Sequence, residues 1–455
     1  MRYFGTDGIR GRVGESLTPR LAYEVGRFFS WFLRETLGHP PKVLVARDTR
    51  ISGQMLEGAL SAGLMASGGD VFLLGVAPTP TLAYLTKTEG FDFGVMLSAS
   101  HNPYFDNGIK LFERGGEKPL DELLSLAEDY LDGRLLWKGE SLLALPYATG
   151  DEIGRCYEAR GLLDTYVQHL TELGLPEMRG IHIGVDPANG ATAEIAERVY
   201  RALGIEVTWI HNHPDGVNIN AACGSTHMAE ISRLVRERGL MAGFAFDGDG
   251  DRCLATDEGG EILDGDAILY LGATHMKGQG TLTHNTVVAS VMSNGGLATA
   301  LEGQGISLVR TKVGDRHIRE EMVRGGYALG GEQSGHILFA PLTHTGDGLL
   351  TSLVLLSYLV DAPLSEQVQG LQYLPQVMLN VPLGKRGILQ DPNLRAAIQE
   401  GKQLLGEGGR LLVRESGTEP LLRIMVEGRD AHLCHVVAEE MRATIEESER
   451  LCAES

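Results

Sequence analysis

The sequence predicts an α/β fold of four domains, the first three similar mixed α/β sandwich units and the fourth a smaller α+β domain. Three observations lead there. The 455 residues exceed what one core commonly organises, and about 100–200 residues per domain implies three or four. Short apolar, β-branched stretches alternate with longer segments of helical character, the pattern of α/β architecture. That alternation recurs three times before it changes.

The first pass runs from a strand at PKVLVARDT through a helical stretch from Gly53 to strands at DVFLLGV and FGVMLSASHNP. A second has IHIGVDPANG, a helix from Ala191, IEVTWIHN and GFAFDGDGDR. The third has TLTHNTVVAS, a helix near Asn294, ISLVRTKVGDR and YALGGEQSGH. Each pass ends on a polar, glycine-bearing loop, and in open α/β sheets ligands gather outside such strand ends. Beyond about residue 365 a shorter unit follows, with GRLLVRESGTEPLLRIMVE expected as two strands around a loop and an amphipathic helix over 431–449. The expected domains are 1–150, 151–255, 256–368 and 369–455.

A net charge of −20 argues against a general nucleic-acid binder, which needs a basic field to displace counterions. Anions must then be held by local arginines and backbone amides. The five cysteines are widely spaced, odd in number and without a CxxC pair, a cytoplasmic pattern. No signal-like segment opens the sequence, and the strongest apolar run, LLTSLVLLSYLV from Leu349, is too short to span a bilayer. No membrane partner is expected. The 60 glycines are nearly twice the average of about 7%, as tight turns near ligands require.

DGDGDR places Asp247, Asp249 and Asp251 at alternate positions, so that one short loop can fold three oxygen donors around a hard cation such as Mg²⁺ or Ca²⁺. The spacing also begins an EF-hand pattern, with Glu258 at the twelfth position. Arg252 at the sixth position, where glycine is needed, and the strand-like AGFAF before the loop exclude it. Three bare carboxylates repel unless a cation or proton compensates, and a three-ligand Mg²⁺ leaves positions open for a phosphate oxygen. That points to phosphoryl chemistry. In SASHNP, Ser98 and Ser100 flank one alanine, and either could be a nucleophile; alone the segment reads as a turn. Beside the carboxylate loop, a phosphorylated serine would complete a metal's coordination.

ASHNP, DGDGDR, GEQSGH and RESGTEP, in this order over the whole chain, resemble the α-D-phosphohexomutase superfamily, four-domain enzymes built around a central cleft that move phosphate between the 1 and 6 positions of a sugar. FGTDGIRG, PDGVNINAACGSTH, TKVGDR and GGEQSGH further resemble the bacterial phosphoglucosamine mutase group. The resemblance implies phosphorylation of Ser100, with Ser98 shaping the loop, and Mg²⁺ held by Ser100, Asp247, Asp249 and Asp251. It implies isomerisation of glucosamine 6-phosphate and glucosamine 1-phosphate, with a hexosamine 1,6-bisphosphate as intermediate and activator, in supply of UDP-N-acetylglucosamine. Phosphoglucomutase or phosphomannomutase activity is the nearest alternative, a phosphatase a further one, and a non-catalytic sugar-phosphate sensor one of another class. A homodimer is expected from the same likeness.

By that resemblance Glu332 and Ser334 contact sugar hydroxyls, and Arg252 and Lys312 join them in binding substrate. Arg414, Ser416 and Thr418 can converge with the amides around Gly417 into a nest for the non-reacting phosphate, assisted by Arg423. An ordinary hairpin turn is the competing reading. A general base must take the attacking hydroxyl's proton. Lys110, His336 and His101 are the candidates, the superfamily favouring the first two and His101 serving the loop. Arg10 is placed near the serine, where it or Arg252 would depress the lysine pKa.

Overall fold

The computed structural model describes residues 2–5, 7–142, 144–383, 388–406, 408–415 and 421–454. The chain divides into two compact units, one of residues 1–292 with 306–369 and the other of 293–305 with 370–455.

The first unit contains three sheets built to one plan. In the first, Lys42–Arg47 lies between Asp70–Val76 and Phe93–Leu97, both parallel to it, and Asp106–Glu113 returns antiparallel to Phe93–Leu97. In the second, His182–Asp186 lies between Glu206–Trp209 and Ala242–Phe246, with Cys253–Thr256 antiparallel beyond. The third repeats this with Thr286–Ser290 between Ser307–Thr311 and Leu329–Gly331, and Ile337–Phe339 antiparallel. Central strands such as Val43, Leu44, Val45 and Ala46 are wholly buried, which is why they read as continuous apolar runs and not as alternating ones. SASHNP, DGDGDR and EQSGH thus each connect the third parallel strand to its antiparallel neighbour, at the equivalent place in three sheets.

Pro19–Leu37 starts where Thr18 Oγ1 accepts from the Leu21 amide at 3.2 Å and ends at left-handed Gly38, the expected cap chemistry. It meets Gly53–Ala66 at backbone contact: a Cβ on Gly26 would lie 2.4 Å from Leu60 O, and one on Gly63 2.0 Å from Tyr23 O. Phe28, Phe29, Leu60 and Leu64 of this pair share one buried cluster with Val43 and Val45 of the sheet.

Two sheets run past the expected domain limits. Cys156–Glu158 adds parallel to Asp70–Val76, beyond residue 150, because the chain can lie against Gly69 only without a side chain at Gly154, whose Cβ would sit 1.9 Å from Gly69 O. Ile262–Leu263 pairs with Cys253–Thr256, beyond residue 255, after a tight turn closed by Asp257 and Glu261. On the other side of the first sheet, Gly8–Arg12 pairs antiparallel with Asp106–Glu113, and Phe4–Gly5 pairs beyond it at the edge. The apolar run from Leu349 forms the buried helix Gly348–Leu359, and no helix among the described residues is long and apolar enough to cross a membrane.

The second unit holds an antiparallel sheet in the order Gln376–Pro382, Leu421–Glu427, Arg410–Glu415, with helices Pro392–Leu405 and Ala431–Glu454. The sequence predicts two of these strands and the last helix. The third strand packs Val377, Leu379 and Val381 inward while Met378 between them is exposed, and Pro392–Leu405 starts at Asp391, whose side chain accepts from Asn393 N. Helix Gly295–Gly303 belongs to this unit: Glu427 Oε1 accepts from Gly295 N at 3.0 Å and from Arg410 Nε at 2.7 Å.

Candidate active site

Ser100 ends the first pass in the left-handed region, φ +52°, uncommon for a residue with a Cβ. Its peptide is held on both sides. The Ser100 amide donates to Ser98 Oγ at 3.0 Å, and Ser98 Oγ in turn donates to Asp48 Oδ2 at 2.6 Å. Asp48 is paired with Arg50 Nε at 2.8 Å, both side chains having no exposed surface. Arg50 also donates to the carbonyls of Ser100, Asn102, Pro103 and Asp106. The result is an Oγ only 2.6 Å from Asp247 Oδ2 on a residue 1% exposed. The two serines therefore have distinct geometries: Ser100 faces the carboxylates, and Ser98 braces the loop from behind.

Asp247, Asp249 and Asp251 each bring a carboxylate oxygen within 4.8 Å of the others, close enough to share a metal ion. All three are buried, and Asp249 Oδ1 and Asp251 Oδ1 have no hydrogen-bond donor among the described residues. Burial, then the neighbouring Asp251 and Asp249, push the Asp247 carboxyl well above the ordinary range. An all-oxygen donor set with orphaned buried oxygens fits Mg²⁺.

Cations surround the trio. Lys110 Nζ lies 2.8 Å from Asp249 Oδ2, 2.9 Å from Asp7 Oδ2 and 3.2 Å from Asp251 Oδ2. Burial opposes its charge, but Asp249, Asp251 and Asp7 outweigh burial and hold its pKa well above the usual lysine value. This corrects the expectation of a depressed lysine: Arg10 does act in that direction, more weakly than three carboxylates. Arg10 pairs with Asp7 at 2.7 Å. Arg252 donates its amide to Asp247 Oδ1 at 3.2 Å, its side chain 3.9 Å from Asp251. His101 Nδ1 is 3.3 Å from Ser100 Oγ, and burial with Arg252 and Arg10 lowers its pKa to about 4.

The third domain reaches the same carboxylates. His336, 4% exposed, has Nδ1 3.9 Å from Asp251 Oδ1 and Nε2 3.9 Å from Asp315 Oδ2. The Gly346 amide donates to Nε2 at 3.2 Å, which assigns the neutral ring's proton to Nδ1. Burial disfavours its charge, but Asp251, Asp315 and Glu332 raise its pKa overall. Glu332 Oε1 accepts from Gly314 N at 3.0 Å, tying GEQSGH to TKVGDR. Ser334 and Lys312 are exposed at the tips of these loops.

Sequence reasoning missed Asp7, Lys118 and Asp315. Lys118 Nζ bridges Asp7 Oδ1 at 2.6 Å and Asp315 Oδ2 at 2.5 Å, so acid and base alternate around a closed ring of Asp251, Lys110, Asp7, Lys118, Asp315 and His336. Asp7 stands inside FGTDGIRG and Asp315 inside TKVGDR, both motifs already singled out; Lys118 carries no local signal. In the second unit Arg414 and Arg423 are directly opposed on neighbouring strands. Ser416, Gly417 and Thr418 lie outside the described residues.

Family models for phosphoglucomutase/phosphomannomutase match in four parts: alpha/beta/alpha domain I over residues 1–132, domain II over 164–260, domain III over 264–373 and the C-terminal domain over 378–444. A phosphoglucosamine mutase of Lachnoclostridium phytofermentans is 45% identical over 441 residues, 96% of each chain. One of Salinispora arenicola is 47% identical, covering 96% of this chain and 97% of the other. Among solved structures, a phosphoglucomutase/phosphomannomutase family protein of Burkholderia thailandensis superposes with a TM-score of 0.80 at 25% identity, covering 98% of this chain and 97% of that one. The N-acetylphosphoglucosamine mutase of Aspergillus fumigatus, solved with GlcNAc-6P and magnesium, has a TM-score of 0.70 at 18% identity, covering 98% and 96%, a likeness of fold.

Proposed function

The chain belongs to the phosphoglucomutase/phosphomannomutase family, and from that premise we propose that it interconverts glucosamine 6-phosphate and glucosamine 1-phosphate through a phosphoserine at Ser100. The observation that carries this reading is the approach of Ser100 Oγ to Asp247 inside a buried carboxylate trio with two oxygens that lack a hydrogen-bond donor among the described residues. A serine there meets a phosphoryl group whose charge the site is built to neutralise.

Phospho-Ser100 gives its phosphoryl group to the 1-hydroxyl of glucosamine 6-phosphate: the Ser100 Oγ–P bond breaks, a sugar O–P bond forms, and the hydroxyl proton passes to a base. The bisphosphate turns over, its 6-phosphoryl group returns to Ser100 Oγ, the proton returns to the sugar oxygen, and glucosamine 1-phosphate leaves. Mg²⁺ held by Asp247, Asp249 and Asp251 would neutralise charge on the transferred group. His336, beside Asp251, takes and returns the proton, while Lys110, held charged by Asp249, Asp251 and Asp7, offsets charge on the transferred phosphoryl group; Arg10 and Arg252 hold phosphate oxygens in place. Glu332 and Ser334, with Lys312, meet the sugar. Arg414 and Arg423, with Ser416, Gly417 and Thr418, hold the phosphate that is not reacting.

Burial of Ser100 favours a mutase over a phosphatase, since water must be kept from the bisphosphate. The described cysteines, Cys156, Cys223, Cys253 and Cys434, are free, which suits reaction in the cytoplasm, and the enzyme is expected to be a homodimer. The test is intact-protein mass after incubation with glucose 1,6-bisphosphate and Mg²⁺. Ser98→Ala should still gain one phosphate and Ser100→Ala none; the reverse pattern removes the assignment.

A further inference from the structure

PDGVNINAACGSTH, at residues 214–227, takes no part in the chemistry above, nor do Asp186, His211 and Cys223. These last three are near enough to hold a metal, yet the Asp186 oxygens are already engaged. Oδ1 accepts from Ala188 N at 2.8 Å, and Oδ2 accepts from His211 Nδ1 and Gly224 N at 2.9 Å each. Burial, then Asp186 itself, pushes the Cys223 thiol up to about 12. The cluster is therefore a hydrogen-bonded knot that ties three loops together.

Five non-glycine residues of these loops are left-handed: Ala188, Asn189, His211, Asn220 and Ala222. Such strain persists where the surroundings over-determine it and concentrates at functional sites. The Asn220 amide donates to Ala188 O at 3.0 Å, which fixes its backbone to the knot. Its side chain reaches the serine loop of the first domain, Nδ2 donating to Ser100 O at 2.8 Å and Asn102 O at 3.0 Å. Two carbonyl partners assign that end of the amide as the donor. The carboxylate loop passes the same point: a Cβ on Gly248 would lie 2.7 Å from Ser100 O and 2.8 Å from Asn220 Nδ2.

We propose that Asn220 is a positioning residue for phosphoryl transfer: anchored by the Asp186 knot, its carboxamide holds the left-handed Ser100 peptide so that Oγ faces Asp247. The inference rests on the mutase reading. Arg50 grips the same carbonyl from within the serine's own sheet, and Asn220 adds the grip from the second sheet, which also carries Asp247. It thereby fixes the serine relative to the carboxylates.

Asn220→Gly keeps the left-handed backbone and removes both donors. Asn220→Asp is isosteric and turns oxygens toward two carbonyls; it serves if the glycine chain does not fold. The wild type, both variants and Ser100→Ala are compared for the rate of phosphate gain from glucose 1,6-bisphosphate with Mg²⁺, and for kcat and KM on glucosamine 6-phosphate. Since small misplacements of reacting groups cost up to about 100-fold, the glycine variant is expected to lose about tenfold or more in phosphorylation rate and kcat. Its KM should stay within about twofold and its melting temperature within a few degrees, with Asn220→Asp impaired at least as much. Wild-type kcat in either folded variant, or a loss confined to KM, overturns the proposal while leaving the mutase reading intact. A wild type that gains no phosphate at Ser100 overturns both.

Discussion

Arg50 is wholly buried, with its guanidinium on Asp48 and four loop carbonyls. Lysine lacks the planar five-donor fork, and an apolar side chain would leave Asp48 as an uncompensated buried charge. Arg50→Met should therefore destabilise the protein by about 3–5 kcal/mol, read as a lower urea midpoint, and should release the serine loop. An unchanged midpoint would show that the loop is held by other means. Nothing in RDTRIS announces this role, because a polar turn after a strand is ordinary and the acceptors come from residues 100–106, some fifty positions away. Ser100 and the Asp trio were legible for the opposite reason: their chemistry is concentrated in short contiguous loops. Lys118 was not, since its partners Asp7 and Asp315 are brought to it by two other segments.

At the scale of elements, two contacts decide packing. Where Pro19–Leu37 crosses Gly53–Ala66, a methyl at position 63 would lie 2.0 Å from Tyr23 O, a backbone atom that cannot step aside. Gly63→Ala should cost about 1–3 kcal/mol, whereas Gly58→Ala on the same helix meets nothing within 4 Å and should be neutral or slightly stabilising. Thermal unfolding of the two variants separates these cases. Asp347 caps Gly348–Leu359, accepting from Leu350 N at 2.9 Å and from Tyr166 OH at 2.6 Å. Burial raises its pKa from 3.8 to about 6, so between these values the folded chain binds more protons than the unfolded one. The stability this group contributes is fully present below about pH 4 and is lost as pH rises through about 6, at about 1.4 kcal/mol per unit of raised pKa and so ~3 kcal/mol in all. Asp347→Asn should flatten that slope in stability measured from pH 4 to 7; an identical slope would contradict it. The run from Leu349 shows in the sequence only as an apolar segment too short for a bilayer; its helical state, its cap, its partner Tyr166 and the strand Gln376–Pro382 do not show, because a short continuous apolar run fits either a helix or a strand.

Across the whole molecule, a chain of net charge −20 gathers Lys110, Lys118, Arg10, Arg252 and His336 around one carboxylate cluster, so local arrangement overrides the global balance. The threefold recurrence was readable because each sheet places its loaded loop after the same strand; sheet edges such as Cys156–Glu158 and Ile262–Leu263 were not, since edge pairing depends on which neighbour a short segment meets. If the trio holds Mg²⁺, saturating Mg²⁺ should raise the melting temperature over the chelated protein, by about 2.7 kcal/mol of stability at 100-fold the dissociation constant, and Asp249→Asn should lose most of that rise. Equal shifts in both proteins would move the metal elsewhere. The most direct test of the mutase reading is phosphorus NMR of the purified protein with Mg²⁺, a trace of hexose 1,6-bisphosphate and glucosamine 6-phosphate, with glucose and mannose 6-phosphates run separately. The account predicts a glucosamine 1-phosphate signal growing well ahead of the other two 1-phosphates. Growth of inorganic phosphate alone, or three inert sugars beside a phosphorylated Ser100, would contradict it.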